Sequence, residues 1–182
     1  GLYNPINEHD ACGVGLVLDI KNRPSFDIVE KGLAMLCNLE HRGAVGADPK
    51  AGDGSGLLIQ IPHNFLKKKV SNQFSLPDPG EYAVGVLFLP NDENDEKKLK
   101  ELIEKICSNE DVKILGWRLC PTFNDELGWS VLPSMPIVYQ LFLEKPKSEN
   151  SQDAFERKLY ILRRCIEKAV LDLSDQIKEG FY

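Results

Sequence analysis

No stretch of the 182 residues approaches the ~18 consecutive apolar residues that suggest a membrane-spanning helix. There is no basic excess either: 22 Lys and Arg stand against 28 Asp and Glu, a formal charge of −6. A nucleic-acid binder gathers a basic face to collect phosphate contacts, so that class of partner is disfavoured. The N-terminal Gly1-Leu2-Tyr3-Asn4-Pro5 lacks the basic start and apolar core of a secretory signal. No CxxC occurs, and the five cysteines, Cys12, Cys37, Cys107, Cys120 and Cys165, are odd in number. Reduced thiols in a cytosol-like compartment are therefore expected rather than a disulfide framework. His9, His41 and His63 have no partners at metal-ligand spacing, and Cys107 and Cys120 fit no zinc pattern, so no metal is expected. Internal repeats and low-complexity tracts are also missing.

What is present is ordinary for a globular domain: 42% hydrophobic and 27% charged residues. The length suits one domain of ~100–200 residues. Glycine and proline divide it. Residues 13–20 read as a short buried strand, and 26–39 as a helix with Val29, Leu33 and Leu36 on one face and Ile28, Met35 and Leu39 on another, hence covered on more than one side. A glycine-rich stretch from Gly43 to Gly56 leads to a second strand, Leu57–Ile61, ended by Pro62. Tyr82–Leu89, Val112–Leu119 and Ile137–Leu143 read as further strands. Leu99, Leu102, Ile103 and Ile106 recur at helical spacing. A long helix after the polar linker Glu144–Gln152 carries Phe155, Leu159, Leu162, Ile166, Ala169 or Val170, and Leu173. Strands separated by helices indicate a layered α and β protein. Lys67-Lys68-Lys69 reads as a solvated helix end. Cys37, Cys107 and Cys165 read as packing residues, and Trp117 and Trp129 as core or subdomain contacts.

Three places could carry chemistry. Cys12, in Ala11-Cys12-Gly13-Val14-Gly15, has glycine neighbours that would let a ligand approach the backbone, a fitting setting for a nucleophile. On local sequence alone, a strand cysteine acting as a small hydrophobe is the commoner outcome. In Glu40-His41-Arg42-Gly43, Gly43 can terminate the first helix while His41 and Arg42 complement its negative end. Alternatively, Arg42 clamps a carboxylate with its planar fork. Gly52-Asp53-Gly54-Ser55-Gly56 precedes a strand, the reverse of the order in phosphate-cradling loops, so a tight turn beside a site is the better reading.

Together, Gly1-Leu2-Tyr3-Asn4-Pro5, Glu8-His9-Asp10-Ala11-Cys12-Gly13-Val14-Gly15, Leu39-Glu40-His41-Arg42-Gly43-Ala44, Gly46-Ala47-Asp48 and Gly52-Asp53-Gly54-Ser55-Gly56-Leu57-Leu58-Ile59-Gln60-Ile61-Pro62 resemble the start of glutamate synthase large chains. The likeness is dense over residues 1–65 and rests on element order beyond. The first domain of that family is a class II glutamine amidotransferase, an N-terminal-nucleophile hydrolase. The resemblance implies an α+β fold, the four-layer αββα sandwich, of which this chain is an incomplete N-terminal portion. It makes residues 1–11 a propeptide, still attached in this chain, and residues 12–182 the first part of the amidotransferase domain. It makes Cys12 the nucleophile and Arg42 the residue that holds the α-carboxylate of L-glutamine.

The implied activity is glutamine hydrolysis to glutamate and ammonia, the ammonia passing to 2-oxoglutarate for glutamate biosynthesis. The implied partners are the remaining glutamate synthase domains and their electron donor. No cofactor belongs to this segment; FMN and an iron–sulfur cluster belong to the full-length enzyme. The family's oxyanion hole comes from an Asn-Gly pair, and this sequence has no Asn-Gly dipeptide. Loss of one such donor costs ~10²–10³ in rate, so the 182 residues alone are expected to be nearly inactive. The alternatives are another class II amidotransferase, or a non-catalytic interaction or scaffold fragment that keeps the fold.

Overall fold

The computed structural model describes residues 13–43, 46–52, 54–173 and 181. Two compact units make up the chain: Gly1–Gln60 with Asp125–Leu132, and Ile61–Asn124 with Pro133–Tyr182.

In the first unit, helix α1 runs from Phe26 to Asn38 and begins where the Ser25 hydroxyl accepts the Asp27 N–H at 3.2 Å. Gly32 is its one buried residue. A Cβ there would lie 2.9 Å from Leu57 Cδ1, so the missing side chain is what lets Leu57 sit on the helix. The expectation of a helix covered on several sides is not met within this unit, because Phe26 and Leu33 remain 71% and 49% exposed.

Residues 13–20 and 57–61, expected as strands, form none. Val14, Leu16 and Ile20 are 80% or more exposed, and Leu58 is 99% exposed. Alternating apolar residues prepare a sheet face, but a strand exists only once a neighbour completes its hydrogen-bond ladder. Among the described residues neither segment has that neighbour.

The second unit holds the sheet. Its elements are α2 (His63–Val70), β1 (Tyr82–Leu89), α3 (Glu93–Asn109), β2 (Ile114–Leu119), β3 (Ile137–Glu144) and α4 (Gln152–Leu171). The three strands are antiparallel in the order β1-β3-β2. Strand alternation separates two faces. On one, Leu87, Leu89, Leu141 and Leu143 pack with Leu99, Ile103 and Cys107 of α3 and Leu162, Ile166 and Val170 of α4. On the other, Tyr82 and Phe142 pack with Leu66 and Val70 of α2 and with Leu76. Full burial of such side chains is worth roughly 1.5–3 kcal/mol each, which makes this unit the stable part of the described chain.

Register in β2 shifts between Ile114 and Gly116. The extra residue lets Ile114 and Trp117, three positions apart, both pack against the α3–α4 core, while Leu115 joins the opposite cluster. A Cβ on Gly116 would overlap the Phe74 ring, which packs 5.2 Å from the Phe142 ring, so only glycine fits there.

Helix ends follow from local chemistry. Asp92 Oδ1 accepts the N–H groups of Asn94 and Asp95 at 3.0 Å, and Ser151 Oγ accepts that of Ala154 at 3.1 Å. At the end of α3, Asp111 adopts φ 53° while Val112 and Asp111 donate to the carbonyls of Cys107 and Ser108 at 2.9 and 3.2 Å, a Schellman stop.

Lys67, Lys68 and Lys69 lie in the exposed last turn of α2. Cys107 is buried as expected, whereas Cys37 is exposed and Cys165 half-buried. Cys37 is therefore no packing residue, because the helix face that carries it is uncovered. Trp117 borders the core, but Trp129 is 72% exposed and contributes to none.

Candidate functional site

Cys12 and residues 1–11 lie outside the described residues, as does the side chain of Arg42. What the structure describes is the backbone that flanks them. Gly15, three positions after Cys12, is pressed against the Met35 thioether with no room for a Cβ. Met35 belongs to the last turn of α1, and the same helix leads into the turn that carries Arg42. The segment after Cys12 and the segment before Arg42 thus share one support.

Helix α1 ends at Asn38, and the Leu39 N–H donates to the carbonyls of Met35 and Leu36 at 3.1 and 3.0 Å. The chain then tightens into a 3-10 turn, Glu40–Arg42, closed by the Gly43 N–H donating to the Glu40 carbonyl at 3.0 Å. Gly43 therefore stops this turn and not the helix, a correction to the sequence reading. Its φ of −84° is open to any residue. His41 behaves as expected of a group at a helix C-terminus: its Nδ1 lies 3.0 Å from the Asn38 carbonyl oxygen and donates there as N–H.

Past the turn, Asp48 organises the glycine-rich segment. It is 5% exposed, and both carboxylate oxygens are engaged. Oδ2 accepts the Ser130 N–H at 2.9 Å and the Ser130 hydroxyl at 2.8 Å, while Oδ1 accepts the Lys50 N–H at 3.1 Å. The Ser130 N–H, assisted by its hydroxyl and by Lys50, holds the Asp48 carboxyl below its ordinary value against the upward push of burial. Gly128 lies so close to this carboxylate that a Cβ would collide with it, and Lys50 Nζ donates to the Asp125 carbonyl at 3.4 Å.

Sequence reasoning assigned no role to Asp48 or Ser130. An Asp before a proline in a glycine-rich stretch signals a turn. Nothing in the sequence announces a partner 82 residues away.

Gly54 has φ 82°, the left-handed region that favours glycine, but Gly54–Gly56, expected as part of a tight turn, form no turn. Asp53 lies outside the described residues. Among the described residues no group of three or more His, Cys, Asp or Glu could hold a metal ion. No described helix is long and apolar enough to cross a membrane.

Comparison with known proteins adds a chain-wide likeness. The family described as glutamine amidotransferases class-II matches residues 12–182. The NADPH glutamate synthase large chain of Bacillus subtilis (strain 168) is 42% identical over 167 residues, covering 92% of this chain and 11% of that protein. The chloroplastic ferredoxin-dependent glutamate synthase of Oryza sativa subsp. japonica is 40% identical over 170 residues, 93% of this chain and 10% of that protein. The NADH glutamate synthase of Saccharomyces cerevisiae is 37% identical over 174 residues, 90% of this chain and 8% of that protein. The chain spans about a tenth of the length of these relatives.

Proposed function

The chain belongs to the class II glutamine amidotransferases, and from that premise we propose that it forms part of the glutaminase domain of a glutamate synthase. The observation that carries the reading is where the family match begins, at residue 12, which is Cys12. In this reading Gly1–Ala11 is a propeptide, 12–182 is the N-terminal portion of the amidotransferase domain, and removal of 1–11 exposes the α-amine of Cys12.

The chemistry explains why removal matters. A thiol of pKa ~8.5 needs a base to become a thiolate near neutrality, and a free α-amine of pKa ~8 is suited to that work. As long as Ala11 is attached, the same nitrogen is an amide and accepts no proton. Once freed, it takes the thiol proton as Cys12 Sγ attacks the side-chain carbonyl carbon of L-glutamine. That proton passes to the departing nitrogen, which leaves as ammonia, and a thioester remains. Water then adds to the thioester, releasing glutamate and restoring the thiol. Arg42 holds the substrate's α-carboxylate through its two parallel N–H groups.

The oxyanion donors come from outside this chain, which has no Asn-Gly dipeptide. Ammonia passes to domains that carry FMN and an iron–sulfur cluster and take electrons from a donor partner, in the cytoplasm or a plastid. The described residues offer no cluster-ligating set, and no step of the hydrolysis runs through either group. The fold proposed for the complete domain is the four-layer αββα sandwich. Supporting it are the layer of α3 and α4 on one face of the sheet and the apolar runs at 13–20 and 57–61, whose exposed side chains suit strands completed by further pairing.

The test is Cys12→Ser and Arg42→Ala in the full-length polypeptide. Both are expected to abolish glutamine-dependent synthesis and spare ammonia-dependent synthesis. Equal loss of the two activities would overturn the assignment. The scaffold reading is separated by 6-diazo-5-oxo-norleucine, which should modify Cys12 in the processed full-length protein and leave a scaffold unlabelled.

A further inference from the structure

We infer that Asp48 is a positioning residue for the glutamine site, acting through Ser130 to hold the stretch 46–52 that lies between Arg42 and the glycine-rich residues Gly54–Gly56. This inference rests on the glutaminase reading. Between Leu33 and Phe65, Asp48 is the only buried residue among those described. Among the described residues of that segment Asp48 is therefore the one buried side chain, six positions after Arg42 and four before Gly52.

The nature of the anchor is informative. A buried carboxylate is costly unless its lone pairs are filled, and filling them with directed donors fixes geometry more sharply than an apolar contact does. Three donors fill those of Asp48: the Ser130 N–H, the Ser130 hydroxyl and the Lys50 N–H. Two of the three come from the 125–132 segment. Gly128 presses on the carboxylate from that same segment, and Lys50 reaches the Asp125 carbonyl. Both sides of the contact are thus tied together more than once.

The backbone before Asp48 carries Arg42, proposed to hold the substrate, and the backbone after it carries the glycine-rich stretch read from the sequence as lying beside the site. An unanchored chain of six residues can reach up to ~20 Å, so without this lock nothing ties the chain that follows the Arg42 turn to the 125–132 segment. A displacement of about 1 Å is enough to harm substrate positioning. Asp48 itself touches neither substrate nor nucleophile; it sets where the binding groups stand.

The experiment uses the full-length polypeptide and reads glutamine KM and kcat alongside ammonia-dependent turnover. Asp48→Ala is expected to raise glutamine KM about tenfold with ammonia-dependent turnover retained. Ser130→Ala, which keeps the backbone donor, should give a smaller rise, and Asp48→Asn should recover part of the loss because one acceptor oxygen remains. Gly128→Ala, whose Cβ meets the carboxylate, should also raise KM yet add nothing to Asp48→Ala.

Unchanged glutamine kinetics in Asp48→Ala and Gly128→Ala would overturn the inference while leaving the glutaminase reading intact. Parallel loss of ammonia-dependent turnover in Asp48→Ala, Ser130→Ala and Gly128→Ala would overturn it in favour of a purely structural contact. If Cys12→Ser leaves glutamine use untouched, the glutaminase reading fails and takes this inference with it.

Discussion

The Nζ of Lys100 lies 3.6 Å from the centroid of the Tyr139 ring. The two side chains also share one acceptor: Glu96 Oε1 takes the Lys100 ammonium at 2.6 Å and the Tyr139 hydroxyl at 2.8 Å. A cation–π contact and two charge-assisted hydrogen bonds thereby pin α3 to β3 at the rim of the core.

This cluster predicts an acid-sensitive contribution to stability. Burial pushes the Glu96 carboxyl up, but Lys100 and Tyr139 more than reverse it, leaving it below the ordinary 4.5. A carboxyl depressed in the folded state stabilises fully above its unfolded value, and the contribution is lost as pH falls through the folded value. Denaturation midpoints should therefore fall on acidification below 4.5. Glu96→Gln should flatten that limb and cost about 1–2 kcal/mol at neutral pH. Superimposable acid limbs for the two proteins would contradict the assignment.

Gly116 predicts a steric penalty. With the Phe74 ring occupying the space of its Cβ, Gly116→Ala should destabilise the chain by about 1–3 kcal/mol in urea unfolding. The penalty should shrink in a Phe74→Leu background, where the obstacle is smaller and more flexible. An equal penalty in both backgrounds would mean that the ring is not the obstacle.

The cysteines predict an order of labelling. Burial, with a smaller push from Glu104, raises the Cys107 thiol to about 11, and the residue is 1% exposed. Cys37 is exposed. A maleimide at pH 8 should modify Cys37 long before Cys107 in the native protein, the difference vanishing in denaturant. Comparable native rates, mapped by peptide mass spectrometry, would show that the α3–α4 core opens readily.

Legibility in the sequence followed the range of the interactions involved. The boundaries of β1 and the amphipathic faces of α3 and α4 are set within a few residues, and periodicity and side-chain type revealed them. Gly13–Ile20 and Leu57–Ile61 carry equally strong apolar patterns and form no strand, because pairing depends on a neighbour that a local pattern cannot supply. The site divides the same way. Cys12 and Arg42 are proposed on ordered blocks of residues. Ser130, in Gly128-Trp129-Ser130, had no local signal at all, since its partner is Asp48.

That contact also has a consequence in time. Residues are added at ~5–20 per second during synthesis, and Ser130 follows Asp48 by 82 positions, a delay of several seconds. Throughout that interval the Asp48 carboxylate has left the ribosome without its downstream donors, while most of the sequence between them belongs to the other unit. The first unit is therefore complete only once Leu132 has been made, after residues 61–124 of the other unit. Its segment around Asp48 is locked only after β1, α3 and β2 have all been made.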